Sequence, residues 1–474
     1  GAMAPVFAAD VKNLSVTVSS GTQANAYGGY TIEEGASALQ NALTLSGPAK
    51  VLGASAGGWS RWGNAEWNTL TIRLDEDGLL GPSDIVGGGV AESEGGGAAV
   101  HNTVYIESGT VEGTVEGGVA VGINGVGDGT GDVLSNQVTM SGGTVYSVFG
   151  GETGEGNAND NVVTIKGSAA VTGKSNAVYG GYTIDGNASG NIVNIEDDAD
   201  IHGEIMGGYT RAGSLISGNK VNVTGGNVNE NTVYGVYTAY GDVLDNQAVI
   251  KGTGQAGSSD TNSVYAGFTN IGAAAGNILY IQDSAEIAGS AFAGYQGGFI
   301  SSETVERNQV FMSGGSVGGD LTGGGSNNGG ETLNNYVEIT GGTVSGNVYS
   351  GFTDSADALE NTLTVAGGRV EGSLFGGYSN TGTANENKLT FSAGTAGSDA
   401  YGGYAQEGAD GNEAVLSGTS VLEGNAAGGS SARGEASGNS LTIKENSEVK
   451  GDAAGGDVYM GTISKNIITI QYNA

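Results

Sequence analysis

Polar and apolar residues alternate along this chain in short, repeated bursts. In Asn361-Thr-Leu-Thr-Val365, the residues Asn361, Leu363 and Val365 fall on one face of an extended strand, and Thr362 and Thr364 on the other. The same alternation runs through Asn439, Leu441 and Ile443, and through Asn68, Leu70 and Ile72. Few stretches carry helical spacing. The full unit is clearest between Ala177 and Gly203. It has an apolar residue, an aromatic, a glycine pair and a second aromatic (Val178, Tyr179, Gly180, Gly181, Tyr182). A polar turn follows, then an asparagine leading an alternating strand (Asn191, Val193, Ile195), and a short stretch ends near a glycine (Ile201, Gly203).

The asparagine measures the repeat. It recurs at Asn41, Asn68, Asn102, Asn136, Asn161, Asn191, Asn219, Asn246, Asn277, Asn308, Asn335, Asn361, Asn387, Asn412, Asn439 and Asn466, with gaps of 25 to 34 residues. A period in this range predicts a solenoid of about sixteen coils, each burying its apolar face only by stacking on its neighbours. The asparagines share the inward parity of the apolar residues. They are therefore expected to form a ladder, each side-chain amide bonding to the next. The glycine pair is expected at a sharp bend or a close backbone approach that a Cβ would block.

In chain order, residues up to about 20 hold one off-pattern strand (Leu14, Val16, Val18), and regular coils begin at Ala26. The coils up to about residue 135 are irregular. One carries Trp59, Trp62 and Trp67, and two others carry the glycine-rich segments Gly87–Gly97 and Gly122–Gly131. Coils from 136 to 474 are more even, with longer loops near Gly213–Ser217 and Phe299–Glu306. Residues 5–474 are read as one repeat domain, and Gly1–Ala4 as an expression-vector scar.

Composition sharpens this picture. The 474 residues include 93 glycines without the every-third spacing of collagen, 3 prolines and no cysteine. Disulfides and thiolate metal sites are thereby excluded. Sixteen basic against 50 acidic residues give a formal charge of −34, which disfavours nucleic acid and anionic lipid as partners. No apolar run reaches the roughly 18 residues of a membrane-spanning helix, so no membrane contact is expected of this stretch.

Candidate chemistry is sparse. The two histidines, His101 and His202, sit in or beside repeat strands and read as coil-surface residues rather than general bases. Acidic clusters occur at Asp75, Glu76 and Asp77, and at Glu196, Asp197, Asp198 and Asp200. They read as a solvated surface, with hydrolytic carboxylates on neighbouring coils as the alternative. Gly127-Asp128-Gly129-Thr130-Gly131-Asp132 is one imperfect glycine–aspartate turn and is read as structural. No catalytic residue, metal site or cofactor is expected.

Two aromatic columns flank the glycine pair. One follows it (Tyr30, Trp59, Tyr182, Tyr209 and onward). The other precedes it, with Tyr179, Tyr234, Tyr265, Tyr349 and Tyr401 among its members. Strand parity turns the preceding column outward. It serves either as stacking between coils or as a stripe whose flat ring faces suit sugars or a partner surface. The segment from Gly57 to Trp67, with Trp59, Arg61, Trp62, Glu66 and Trp67, reads either as hydrophobic packing beneath a longer loop or as a local glycan or protein contact, and is the first choice for a local binding site.

The strings AYGGYT, VYGGYT, LFGGYS and AYGGYA, alternating with NVVTI, NTLTV and NSLTI over nearly the whole chain, resemble the glycine-rich repeats of Gram-negative autotransporter passenger domains. The resemblance implies an all-β, right-handed parallel β-helix exported to the bacterial surface through a C-terminal outer-membrane barrel. It implies adhesion to host or bacterial cells, through a surface glycan or protein, or self-association. Protease passengers carry a GDSGS-type serine site, and this chain lacks that string. The alternatives are a carbohydrate-active β-helix enzyme (polysaccharide lyase or glycoside hydrolase) and a passive stalk.

Overall fold

The computed structural model of the chain describes residues 9–82, 85–92, 96–122, 125, 128–229, 231–257, 264–298, 302–327 and 329–471. The scar Gly1–Ala4, Gly127 of the glycine–aspartate turn, and parts of the Gly87–Gly97, Gly122–Gly131 and Phe299–Glu306 segments lie outside them. Among the described residues the regular elements are strands, and no helix occurs. Parallel strands stack as a β-solenoid of about sixteen turns. The chain divides into two compact units, Gly1–Asn231 and Thr232–Ala474.

In the N-terminal unit each turn is built from the predicted parts. Val178–Thr183 is the glycine-pair strand, Ile192–Ile195 the asparagine-led strand and Asp200–Ile201 a short third strand. A further two-residue strand at the corner before the asparagine pairs in parallel from coil to coil, as Val133–Leu134 does with Ala158–Asn159. Inward positions stack in register. Leu43, Leu70, Val104, Val138, Val163, Val193 and Val221 form one buried column through successive parallel pairs. Each such side chain contributes about 1.5–3 kcal/mol on burial. No isolated coil could retain that contribution, because its own neighbours above and below supply the contact.

The C-terminal unit repeats this plan. Leu279, Val310, Val337, Leu363, Leu389, Ala414 and Leu441 are the equivalent buried column. Register is kept on the glycine-pair strands too, where Tyr349 pairs with Phe375, Gly351 with Gly377 and Phe352 with Tyr378. Length variation spares the ladder, although the register slips by one residue after Ile72 and between Val111 and Thr114. The two 34-residue repeats around Asn102 still place Asn68, Asn102 and Asn136 within hydrogen-bonding distance of one another, so the added residues loop out at corners.

The corner before each ladder asparagine has a common backbone. Trp67, His101, Glu360 and Glu386 all take left-handed φ values, of 58°, 56°, 54° and 57°. Glycine takes the same place before Asn191, Asn219, Asn277, Asn412 and Asn439. A left-handed non-glycine residue costs roughly 1–2 kcal/mol. The hydrogen bonds of the asparagine that follows offset it.

Candidate functional site

The asparagines are joined side chain to side chain. Asn361 Oδ1 accepts from the backbone N–H of Asn335 at 3.0 Å and from its Nδ2 at 2.9 Å. Asn361 Nδ2 in turn donates to Thr332 O and to Asn387 Oδ1, both at 3.0 Å. Two donors and two acceptor positions are thus used, which is the full capacity of a primary amide. The N-terminal unit holds the same arrangement from Asn41 to Asn219, as in Asn161 Nδ2 to Asn191 Oδ1 and to Val133 O, both at 3.0 Å. At the other end of the chain, Asn439 donates to Asn466 Oδ1 at 3.0 Å. These buried amides are consumed by the fold and offer nothing to a ligand.

The glycine pair is the partner of this ladder. A Cβ on the second glycine would run into the asparagine side chain, 2.2 Å from Asn68 Cγ at Gly58 and 2.3 Å from Asn387 Cγ at Gly377. A Cβ on the first would meet the next coil's carbonyl, 2.3 Å from Gly57 O at Gly28 and 2.3 Å from Gly402 O at Gly376. The first position admits a small side chain, as Ala266, Ala293 and Ser350 show, while one coil departs at the second. Val236 replaces the second glycine, and there the register passes from Tyr234↔Tyr265 to Tyr237↔Phe268 without the intervening pairing that other coils keep.

Because the two residues at this bend, glycines or a small residue and a glycine, both turn inward, the aromatics on either side of them share the outer face. This corrects simple alternation, which places residues three apart on opposite faces. Tyr27 and Tyr30 lie with ring centroids 4.9 Å apart, and Tyr349 and Phe352 with centroids 5.3 Å apart. Between coils the rings stack face to face. Tyr234–Tyr265 are 5.3 Å apart at 8°, Tyr349–Phe375 5.0 Å at 6°, and Phe375–Tyr401 5.7 Å at 20°. The flat faces expected to receive sugars are therefore covered by neighbouring rings, and Tyr234, Tyr265, Tyr349 and Tyr401 are half-buried. Tyr179 departs furthest from expectation. It is 1% exposed, packed edge-on against Phe149 and Tyr182, with its hydroxyl donating to Asn176 Oδ1 at 2.7 Å. Burial pushes its phenol far above the ordinary range and that of Tyr182 up to about 12.

The tryptophan segment does not converge. Trp59 lies in the glycine-pair strand, 8% exposed, against Tyr27 and Val90, and its Nε1 donates to Glu92 Oε1 at 2.6 Å. Arg61 approaches the same carboxylate at 3.6 Å. Trp62 is half-buried in the turn that follows, and Trp67 stands 57% exposed on the left-handed corner, stacked on His101 at 4.2 Å. Strand and corner point these rings in different directions, so the three tryptophans form no shared platform. Glu66 accepts from Asn64 Nδ2 at 2.7 Å rather than meeting Arg61.

Several acidic candidates are held by turns. Asp75 Oδ1 accepts from the Asp77 backbone N–H at 3.0 Å, Asp197 Oδ2 from that of Gly167 at 3.1 Å, and His202 Nε2 lies 2.8 Å from Asp200. Asp132 Oδ1 accepts from the Asn157 N–H at 2.8 Å.

The sequence reading passed over one group. On the outer face of the asparagine-led strands, most nearby coils carry threonine or asparagine immediately before the last inward residue. Three successive coils of the C-terminal unit instead carry Tyr280, Phe311 and Glu338 in register. Tyr280 and Phe311 stack at 5.4 Å, and Tyr336 approaches Phe311 at 5.9 Å. Tyr280, Phe311 and Glu338 border a cleft of about 250 Å³, completed by Gln282, Met312, Ser313 and Thr340. The signal lay in aligning coils rather than in any one string. Comparison of the chain with protein-family models, with curated proteins and with solved structures yields no match.

Proposed function

We propose that this chain is the passenger of a Gram-negative autotransporter, displayed at the bacterial surface as an adhesin. It would attach to host or bacterial cells, or to its own copies, through the outward faces of its coils. The observation that carries this reading is the division of labour within each repeat. Asparagine, glycine and inward apolar residues lock the coil, as Gly351 and Asn361 do. Outward positions are left free to vary from coil to coil, as at Thr364, Glu338 and Phe311. Such a scaffold presents many weak contacts whose sum is avidity. The formal charge of −34 keeps a strand-rich surface soluble and steers it toward neutral or basic partners. On this reading the chain catalyses no reaction.

The test is display of the chain on a non-adherent bacterium through a heterologous barrel. Attachment to epithelial cells and settling of the culture are scored against the barrel alone. A displayed chain that changes neither attachment nor settling overturns the adhesive reading.

A further inference from the structure

We propose that the cleft bordered by Tyr280, Phe311 and Glu338 is a glycan-binding site that takes a neutral pyranose ring. The proposal deepens the adhesive reading and rests on it for its cellular setting. Other aromatic stacks end against small residues, as Tyr349–Phe375–Tyr401 does at Ala427 and Tyr265–Phe292 at Thr322. Here the stack ends against a carboxylate. Phe311 is covered on one side by Tyr280, while its in-register neighbour on the other side is Glu338, a carboxylate instead of a ring. Phe311 and Glu338 both line the cleft, and Tyr336, tilted by 53°, approaches Phe311 at 5.9 Å.

The chemistry around that ring suits a sugar. The negative face of an aromatic ring attracts the polarised C–H bonds of a pyranose. Glu338 supplies an acceptor for sugar hydroxyls, and charge-assisted bonds of this kind are the strong ones. Tyr336 stands two residues before Glu338 in the same strand, and burial first, then the nearby Glu338 carboxylate, hold its phenol above the ordinary range. Gln282, Ser313 and Thr340 add an amide and two hydroxyls at the rim, and Ser313 and Thr340 are exposed. A volume of about 250 Å³ is just below the usual range for small-molecule sites and fits one ring of a longer chain. The carboxylate in the cleft and the acidity of the whole chain exclude uronic and sialic acids, leaving neutral sugars.

The experiment is retention of the purified full chain on immobilised neutral polysaccharides (a β-glucan, a galactomannan and a xylan) beside polygalacturonate. Phe311→Ala, Glu338→Gln and the exposed control Met460→Ala are run in parallel, with thermal unfolding of each. The expected result is retention on at least one neutral polymer and none on polygalacturonate. Affinity should fall tenfold or more in Phe311→Ala and several-fold in Glu338→Gln, with Met460→Ala unchanged. Phe311→Ala opens the outer face only, and Glu338→Gln preserves shape, so the second variant tests the site even where the first lowers stability. Equal retention of all three variants, preferential binding of polygalacturonate, or no retention on any neutral polymer overturns the proposal. A chain that attaches to cells yet is retained by no neutral polymer loses this site and keeps the adhesive reading. A chain that does neither loses both.

Discussion

Gly351 lies directly against the side chain of Asn361, and a Cβ placed on it would come within 2.4 Å of both Cγ and Nδ2. Asn361 cannot retreat, because its amide is tied at all four positions. Gly351→Ala is therefore expected to cost about 1–3 kcal/mol through overpacking. Gly408 of the same unit is the control. Its nearest neighbours to a built Cβ are 3.7 Å away and its φ is ordinary, so Gly408→Ala should stay within about 0.5 kcal/mol of the parent. Denaturant unfolding of the two variants decides. Equal midpoints would show that the glycine–asparagine contact yields freely.

Removing the asparagine itself should cost more. Asn361→Leu keeps the volume and apolar surroundings but strands the backbone N–H and Nδ2 of Asn335 and the carbonyl of Thr332. Each buried group left without a partner costs roughly 1–3 kcal/mol, so a loss of at least about 3 kcal/mol is expected. Stacked repeats are coupled chiefly to their neighbours, and the damage should be local. Amide hydrogen exchange should quicken most at residues 332–339 and 361–365 and least in coils several turns away. Uniform quickening across the unit would mean that the ladder acts as one cooperative column.

The buried tyrosines predict an alkaline limit to stability. The phenol of Tyr182 is raised from its ordinary 10 to about 12, first by burial and then by Tyr209 and Glu152. Above pH 10 the unfolded chain ionises while the folded chain holds its protons, so the unfolded state binds fewer protons and stability falls as pH rises. The stabilisation is fully present below pH 10 and is lost through the window from 10 to about 12. Tyr179, raised further and for the same first reason, steepens the upper part of that loss. The melting temperature of the parent should drop across this window, and Tyr182→Phe should flatten the drop. Parallel curves for the two proteins would show that the Tyr182 phenol is not shielded.

Much of this was legible before any coordinates. Alternation in Asn361-Thr-Leu-Thr-Val365 fixes which residues face inward, and a period of 25 to 34 residues leaves them no partner but the next coil. The asparagine's inward parity required a partner of its own kind, because a buried amide needs bonds that an apolar core cannot supply. Other features depend on geometry that parity does not carry. A bend at the glycine position lets the strand fold over its own asparagine, which brings Tyr27 and Tyr30 to one face. The left-handed corner is filled by Trp67, His101 and Glu360 alike, so residue type gives no sign of it. The cleft at Phe311 exists only because three coils are in register.

The two ends of the tryptophan segment should respond oppositely to truncation. Trp59 is a core residue of its coil, packed against Tyr27, Ala56 and Val90 and anchored through Nε1 to Glu92. Trp59→Ala should remove about 3–5 kcal/mol, the usual cost of emptying a large aromatic site, with a further penalty for Glu92 losing its donor. Trp67 is exposed and touches His101 by stacking alone, so Trp67→Ala should change stability by no more than about 1 kcal/mol. The fluorescence of the parent should follow the same division, with a blue-shifted component from Trp59 and a quencher-accessible one that disappears in Trp67→Ala. It follows that a binding defect in Trp59→Ala would report unfolding of the coil, whereas one in Trp67→Ala would report a lost contact. Iodide quenching unaffected by the Trp67 substitution would place that ring inside the protein and reverse the assignment.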